Sequence, residues 1–413
     1  MKLRIINIHL LINTRTENVL LRGLALANLP FIENAYLDIE DEIILDYGSM
    51  TELQQLNNNI DFKIYDAKGA SVLPCWCDSH THLVFAASRE SEFIDKIKGL
   101  SYAEIAAKGG GILNSAAKLN NSSEDELFAS AWLRLEELIA LGTGAIEIKS
   151  GYGLSVEGEL KMLRVIKKLK QLSPIPIKST FLGAHTYPLE FKNNHRGYLD
   201  LIINELLPII ANENLADYID VFCEDGFFSV AETNEICIAG KSVGLVPKIH
   251  ANQLTVSGGV EVGVALDALS VDHLESMDEK AISTLAASET IGTLLPTAAY
   301  FLRMPFQPAR QLIDAGCAIA LASDFNPGSS PSGNMNTVVS MSCIQMKMLP
   351  EEAINAATIN GAFAMGLEEM MGSITKGKLA NLIFTKPIPS ISYLPYAFGS
   401  NLIKSVMING IFQ

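Results

Sequence analysis

The chain has 413 residues, of which 46 are acidic and 31 are basic, so its formal net charge is -15. This charge argues against nucleic acid or an anionic membrane as the main partner, because both require clustered positive charge. Hydrophobic residues make up 48% of the chain and charged residues 19%, which is typical of a globular enzyme and excludes a disordered chain.

The N-terminal stretch MKLRIINIHLLINTRTENVL is apolar but is interrupted by Asn7, His9, Asn13 and Thr14. It has no small-residue cleavage site, so we do not expect a signal peptide. No run reaches the roughly 20 apolar residues that span a bilayer. The six cysteines lie mostly in apolar surroundings and lack the spacing of a zinc ribbon. This usage predicts reduced thiols in a cytoplasmic protein.

Both ends of the chain have the alternating pattern of β-strands. The N-terminal part contains LRIINIHLLI, AYLDI, EIILDYG and FKIYDAKG, separated by turn residues, and one short helical segment, TELQQL. The C-terminal part contains ANLIFTK, ISYLPYAFG and IKSVMINGIFQ. The pattern predicts a small β-sandwich domain assembled from residues 1–70 and 374–413, and a larger domain at residues 71–373.

The middle of the chain repeats short apolar runs, each followed by a helical pattern, as in parallel strands that are buried on both faces. The eight runs are 71–75, 145–149, 175–181, 218–223, 246–250, 268–273, 291–295 and 318–323. Eight such units predict a closed (β/α)8 TIM barrel, whose active site lies at the carboxyl ends of the strands. An open doubly wound sheet is the alternative, but no G-x-G-x-x-G follows the first strand.

Polar residues follow nearly all of these runs, where a barrel would place its active site. Five of the seven histidines lie at the predicted strand ends: His80, His82, His185, His250 and His273. A single histidine there would more often be structural, but five on one rim favour a metal site. Residues two apart on a strand point to the same side, so His80 and His82 can both face the barrel axis. Imidazoles and a carboxylate suit Zn²⁺ or iron. The pattern therefore predicts a metal site made of His80, His82, His250 and Asp324.

Several longer motifs are similar to those of a known family. They are FAASRESEF (85–93), IEIKSGYGL (146–154), TFLGAHTYP (180–188), SDFNPGSSPSGNMN (323–336) and GSITKGKLANLI (372–383). Together with the H-x-H that opens the barrel and the aspartate that ends its eighth strand, they make the chain resemble the amidohydrolase superfamily. Within that superfamily the chain resembles the imidazolonepropionase family, and the resemblance spans essentially the whole length.

The resemblance implies hydrolytic opening of the ring of 4-imidazolone-5-propanoate to N-formimidoyl-L-glutamate, a step of L-histidine degradation. It implies one Zn²⁺ or Fe ion per subunit, held by the four metal ligands named above. It also implies substrate contacts from Arg89, Tyr152, His185, Gln253, Asn326, Gly328 and Ser329. The guanidinium of Arg89 offers a planar fork for a carboxylate, which agrees with this role.

Two positions leave questions open. Some relatives carry a glutamate three residues after the histidine of the fifth strand, whereas this chain has Gln253. Glutamine cannot accept a proton at neutral pH, so only a hydrogen bond is expected there.

Lys149 ends a strand, and binuclear superfamily members bridge two metals through a carboxylated lysine. The resemblance points to a mononuclear site instead, and the sequence leaves the modification of Lys149 open.

The expected mechanism uses three catalytic residues. A metal ion lowers the pKa of water to roughly 7, which makes hydroxide available at neutral pH. We expect Asp324 to accept a proton as the ring carbonyl is attacked, and His273, with His185 as a second candidate, to stabilise the oxyanion. His273 could instead orient Asp324, and Tyr152 could simply pack.

Two other functions remain as alternatives. One is a different amidohydrolase, a cyclic amidase or a nucleobase aminohydrolase, but a neutral nucleobase gives Arg89 no carboxylate to bind. The other is a non-catalytic scaffold on the same barrel, although such proteins typically lose metal ligands and all four are present here. The expected partner is a small-molecule substrate rather than nucleic acid or a membrane, and a homodimer is expected for a barrel of this size.

Overall fold

The computed structural model describes residues 2–55, 61–100, 104 and 110–413. In this part of the chain sixteen strands, β1 to β16 in chain order, form two separate eight-stranded sheets. The first, called the terminal sheet below, combines strands from both ends of the chain. The second is the barrel, and it carries the strand ends at which the sequence predicts the active site.

The terminal sheet has the strand order β16-β15-β14-β5-β1-β2-β3, and β4 also pairs with β1. Alternating apolar residues of β1 are buried, with the pattern shifting by one residue at a bulge around Asn7, whose φ is 56°. Its strands are β1 (Lys2–Ile12), β2 (Phe31–Glu40), β3 (Ile43–Ser49), β4 (Lys63–Asp66), β5 (Val72–Pro74), β14 (Leu382–Thr385), β15 (Ile403–Ile408) and β16 (Ile411–Phe412).

The barrel consists of eight parallel strands that are neighbours in chain order. They are β6 (Trp76–Thr81), β7 (Thr143–Lys149), β8 (Ile177–Ala184), β9 (Tyr218–Cys223), β10 (Val246–Ala251), β11 (Ser270–His273), β12 (Ile291–Leu294) and β13 (Ile319–Leu321). The first and last strands meet, because the amide of Asp324 donates to the carbonyl of His80 and the amide of His82 donates to the carbonyl of Phe325, both at 2.9 Å. The predicted (β/α)8 barrel with a second β-rich unit from both termini is confirmed.

Helices follow most barrel strands and cover the barrel from outside. The α-helices of the described residues are Met50–Gln55, Glu90–Ile97, Ile112–Asn121, Glu124–Ala140, Val156–Leu172, His195–Leu201, Leu207–Glu213, Val230–Ser242, Gly259–Ala265, Glu279–Ala286, Pro296–Leu302, Ala309–Asp314, Met335–Met346, Pro350–Ala357, Ile359–Phe363 and Tyr393–Tyr396. Short 3-10 turns span Gly23–Ala27 and Leu189–Phe191, and a π-helical turn spans Ile202–Leu206. Ser123 and Ser229 each begin a helix with a capping box. None of the described helices combines the length and the apolar character that crossing a bilayer requires.

The first predicted barrel strand belongs to the other sheet, and one predicted C-terminal strand is wrong. The run at 71–75 is not the first barrel strand, because β5 pairs with β1 and β14 in the terminal sheet and the barrel begins at Trp76. The segment ISYLPYAFG is not a strand either, since it contains the helical turn Tyr393–Tyr396. In both cases the sequence correctly indicates an ordered apolar segment. The local pattern does not show which other segment, if any, pairs with its backbone.

Candidate active site

Three histidines and one aspartate meet where the barrel closes. His80 is the penultimate residue of β6 and His82 follows that strand, His250 lies near the end of β10, and Asp324 follows β13. The three histidines offer ring nitrogens that all lie within 4.8 Å of one another. Oδ1 of Asp324 is 3.5 Å from Nε2 of His80 and 3.6 Å from Nε2 of His82. The backbone bond from Asp324 to His80 and the positive φ of Asp324, 51°, place this carboxylate beside the imidazoles.

Each of these imidazoles is held through Nδ1. The Nδ1 of His80 lies 2.7 Å from Oδ2 of Asp272, and that of His250 lies 2.9 Å from Oδ2 of Asp220. The Nδ1 of His82 lies 3.4 Å from the carbonyl oxygen of Ser150. Because carboxylate and carbonyl oxygens accept hydrogen bonds, each Nδ1 carries the proton and each Nε2 has a free lone pair.

The free Nε2 atoms fit a divalent metal ion. Among the described residues, Nε2 of His80 and Nε2 of His250 are buried and have no hydrogen-bond partner. Buried nitrogens are rarely left unpaired in a native protein unless a ligand or water binds them. Three neutral imidazoles and one carboxylate are a donor set that zinc and iron accept. Burial raises the pKa of the Asp324 carboxyl to about 6 in the absence of an ion.

A network of buried charges lies next to the histidines. Its members are almost completely inaccessible to solvent: Glu147, Lys149, Asp220, Lys248 and Asp272. The ammonium of Lys149 lies 2.7 Å from Glu147, 2.8 Å from Asp220 and 3.4 Å from Asp272. Burial alone would lower the pKa of Lys149, but these carboxylates outweigh it and raise the pKa. Carboxylation of Lys149 would add a further negative charge among them, so the surroundings fit an unmodified ammonium.

A small polar pocket opens beside the histidine cluster, with an empty volume of about 290 Å³. Most of the residues proposed from the sequence line it. The lining consists of His82, Tyr152, His185, Phe222, His250, Gln253, His273, Asp324, Asn326 and Ser329. His185 stacks on His82 with ring centroids 5.4 Å apart, and its Nδ1 lies 3.1 Å from the carbonyl of Gly151. Burial lowers the pKa of His185 to about 3, so this ring is neutral at physiological pH.

The turn after Asp324 is held by the side chain of Asn326. Its Oδ1 accepts hydrogen bonds from the amides of Gly328 and Ser329, both at 2.8 Å, and its Nδ2 donates to Oγ of Ser329 at 2.7 Å. These two amides are therefore engaged within the turn. Two residues of this turn, Asn326 and Ser329, line the pocket.

Arg89 lies at the edge of the site and is bound to Glu92. Its Nε donates to Oε2 of Glu92 at 2.8 Å, and both side chains are largely buried. A Cβ at position 328 would collide with Nη1 of Arg89, so the guanidinium also packs against Gly328. Arg89 thus lies next to the turn that carries Asn326 and Ser329, and part of its guanidinium already binds the carboxylate of Glu92.

His273 belongs to a chain of polar groups that the sequence did not reveal. Its Nδ1 lies 3.5 Å from Oε1 of Glu275, which also accepts a hydrogen bond from Nε2 of Gln307 at 3.0 Å. Burial acts against protonation of His273, but Glu275 outweighs it and raises the pKa of the imidazole. With Nδ1 turned toward Glu275, Nε2 is the nitrogen available to the pocket.

Four groups were missed from the sequence, and each contacts another polar side chain of the site: Asp220, Asp272, Glu275 and Gln307. Two of them had a visible signal. Asp220 interrupts the apolar run of β9 and Asp272 precedes His273 in β11, and a charged residue inside a buried strand needs a partner. Glu275 and Gln307 lie in loops, where polar residues are ordinary and carry no such signal.

Comparison with known proteins assigns the chain to a family. It is 58% identical to the imidazolonepropionase of Flavobacterium johnsoniae over 98% of each chain. The chain belongs to the imidazolonepropionase family. Its similarity to more distant members is also extensive: the imidazolonepropionase of Clostridium tetani is 43% identical over 94% of this chain and 92% of its own. A model of the wider amidohydrolase family matches residues 249–412, which include His250 and Asp324.

Solved structures show that this imidazolonepropionase family member has the amidohydrolase fold. The 5-methylcytosine deaminase of Klebsiella pneumoniae superposes with a TM-score of 0.74, covering 99% of this chain and 97% of its own at 16% identity. Guanine deaminase of E. coli superposes with a TM-score of 0.73, covering 100% and 99% at 12% identity. At such low identity these structures support the fold alone.

Proposed function

We propose that this chain catalyses hydrolysis of the ring C–N bond of 4-imidazolone-5-propanoate to N-formimidoyl-L-glutamate, a step of L-histidine degradation. The observation that carries the proposal is the 58% identity to a curated imidazolonepropionase over 98% of both chains. The pocket is consistent with a small substrate that needs several polar contacts. Neither the sequence identity nor the polar pocket favours a nucleobase aminohydrolase or a non-catalytic scaffold.

The cofactor proposed is one Zn²⁺ or Fe ion per chain, held by His80, His82, His250 and Asp324. Its contribution would be Lewis acidity that makes water nucleophilic near neutral pH. Support comes from the ring nitrogens that face one another with their Nδ1 atoms already hydrogen-bonded. One ion is proposed rather than two because Lys149, the residue that could bridge a second, is surrounded by carboxylates.

The proposed substrate contacts divide between the two ends of the molecule. Arg89 and Ser329 would bind the propionate, since both lie at the turn around Gly328. Tyr152 and Gln253 line the pocket and would bind the ring by packing and hydrogen bonding. This arrangement favours an anionic substrate over a neutral nucleobase, because the guanidinium forms charge-assisted hydrogen bonds with carboxylates.

Proton transfer is assigned to residues within the pocket. Asp324 would accept the proton of the attacking water and later pass it to the leaving ring nitrogen. His273 would donate a hydrogen bond from Nε2 to the oxygen of the ring carbonyl as negative charge develops there. His185 is neutral and stacked on His82, which suits it to bind and orient the ring or to serve as a second hydrogen-bond donor.

The proposed function is tested by following the reaction of 4-imidazolone-5-propanoate with metal-analysed protein through the loss of ring absorbance. The product is then identified by mass spectrometry. The expected result is N-formimidoyl-L-glutamate and no turnover of cytosine or guanine. Turnover of a nucleobase, together with no reaction of 4-imidazolone-5-propanoate, would overturn the proposal.

A cytoplasmic location and a homodimer complete the proposal. The location is supported by the cysteines, all six of which lie in the described part of the chain and are unpaired, five of them buried. The homodimer stays a prediction, which sedimentation at several protein concentrations would test.

A further inference from the structure

We propose that Lys149 is a positioning residue that aims two histidines at the metal site through one shared arrangement of carboxylates. This inference rests on the metal site proposed above. Lys149 ends β7, whereas the two histidines lie on β6 and β10, so the effect would pass across strands rather than along one.

The contacts of Lys149 are with the oxygens that hold the histidines. Its Nζ lies 2.8 Å from Oδ2 of Asp220, and that same oxygen lies 2.9 Å from Nδ1 of His250. It lies 3.4 Å from Oδ2 of Asp272, and that oxygen lies 2.7 Å from Nδ1 of His80. Each oxygen therefore bridges the ammonium and one imidazole.

The fixed charge of Lys149 explains why two aspartates can lie close to one another in a buried site. Without a cation between them, the carboxylates of Asp220 and Asp272 would repel each other and turn apart. Each would take its imidazole with it, because a carboxylate that accepts from Nδ1 sets the plane and the tautomer of a ligand histidine. Lys149 would in this way set the direction of two of the three Nε2 lone pairs.

Lys248 provides a matched control on the neighbouring part of the network. It is equally buried and also binds Glu147, which accepts hydrogen bonds from both lysines. Its other hydrogen bonds go to the carbonyl oxygens of Ser79 and Ala364, at 3.3 Å and 3.1 Å, rather than to the aspartates that hold the histidines. Loss of its charge should therefore reduce stability without redirecting the imidazoles.

The experiment compares Lys149→Met and Lys248→Met in the full chain. Affinity for Zn²⁺ is measured by competition with a chromophoric chelator, the visible spectrum of the Co²⁺ form reports ligand geometry, and a melting curve of the metal-free protein reports stability. We expect both variants to melt lower. Lys149→Met should also bind Zn²⁺ about 10- to 100-fold more weakly, with an altered Co²⁺ spectrum, while Lys248→Met keeps the affinity and spectrum of the wild type.

The inference is overturned if Lys149→Met keeps wild-type affinity and spectrum, or if Lys248→Met loses as much affinity. If Lys149→Met does not fold, Lys149→Gln and Lys248→Gln are compared in the same way: weaker Zn²⁺ binding in Lys149→Gln alone supports the inference, and equal affinities overturn it. A wild-type chain that binds no Zn²⁺, Fe²⁺ or Co²⁺ would instead overturn the proposed function.

Discussion

Glu92 holds Arg89 in place at the edge of the pocket. Both Nε and Nη2 of Arg89 contact Oε2 of Glu92, at 2.8 Å and 2.5 Å, and Oε1 of Glu92 accepts from the amide of Gly111 at 2.9 Å. Because the pair is largely buried and Nη1 packs against Gly328, it differs from an exposed surface ion pair. Glu92 restricts the guanidinium to one orientation, in which Nη1 packs against Gly328 and takes no part in the pair with Glu92.

The first prediction concerns Arg89. Arg89→Ala should lower kcat/KM for 4-imidazolone-5-propanoate about 10- to 100-fold, since a hydrogen bond to a charged group contributes about 1.5–3 kcal/mol. Arg89→Lys should recover only part of this, because a single ammonium cannot replace both the paired donors to Glu92 and Nη1. Metal content should not change. Arg164→Ala, which removes an exposed pair with Glu213, is the control. Kinetics of Arg89→Ala within a few-fold of wild type would remove Arg89 from the substrate site.

The convergence of the proposed metal ligands was predictable from the sequence because it follows from strand geometry. His80, His82 and His250 lie at or just beyond the ends of barrel strands, and parallel strands bring their carboxyl ends to one rim. Asp324 follows the eighth run, and barrel closure puts the eighth strand beside the first. The same logic identified His185 and His273 as pocket residues.

The partners of these residues were not predictable in the same way. Lys149 was noticed as a strand end, but its contacts with Asp220 and Asp272 depend on the exact register of three strands. The pairing of Arg89 with Glu92 rather than with Glu90 depends on where the helix Glu90–Ile97 begins. The place of Val72–Pro74 in the terminal sheet was not predictable, because its partner strand β14 lies about 300 residues away in the sequence.

The second prediction separates the two roles proposed for Asp324, metal ligand and proton acceptor. Asp324→Asn keeps an oxygen that can contact a metal but cannot accept a proton. Activity should therefore fall about 100-fold or more, the usual effect of removing a general base, while metal content falls much less. Metal analysis and steady-state kinetics on the same preparation test this. Equal losses of metal and activity would show that Asp324 serves only as a ligand.

The third prediction distinguishes catalysis by His273 from orientation of the metal site. His273→Asn should lower kcat about 100- to 1000-fold, as loss of an oxyanion donor does, with metal content unchanged. Glu275→Gln should cause a smaller loss of kcat with little change in KM, because Glu275 faces Nδ1 of His273. A loss of bound metal in His273→Asn would instead support a role in orienting Asp324.

The fourth prediction uses Gln253, which lines the pocket and does not titrate. Gln253→Glu adds a carboxyl with an ordinary pKa of about 4.3, which burial in the pocket would raise. We expect the variant to stay active and to show an additional ionisation on the acid side of its kcat/KM profile. Gln253→Ala should lose less activity than Asp324→Asn. A loss as large as that of Asp324→Asn would contradict the assigned path of proton transfer.

The most direct test of metal-dependent hydrolysis is a titration of metal-free protein with Zn²⁺ or Fe²⁺ while the ring opening of 4-imidazolone-5-propanoate is measured. His82→Ala, which removes one proposed ligand, serves as the matched control. We predict that the metal-free chain is inactive, that its rate rises linearly with added metal and levels off at one equivalent per chain, and that His82→Ala stays inactive over the same range. Full activity of the metal-free chain, or a metal-loaded wild type that leaves the ring intact, would contradict the account.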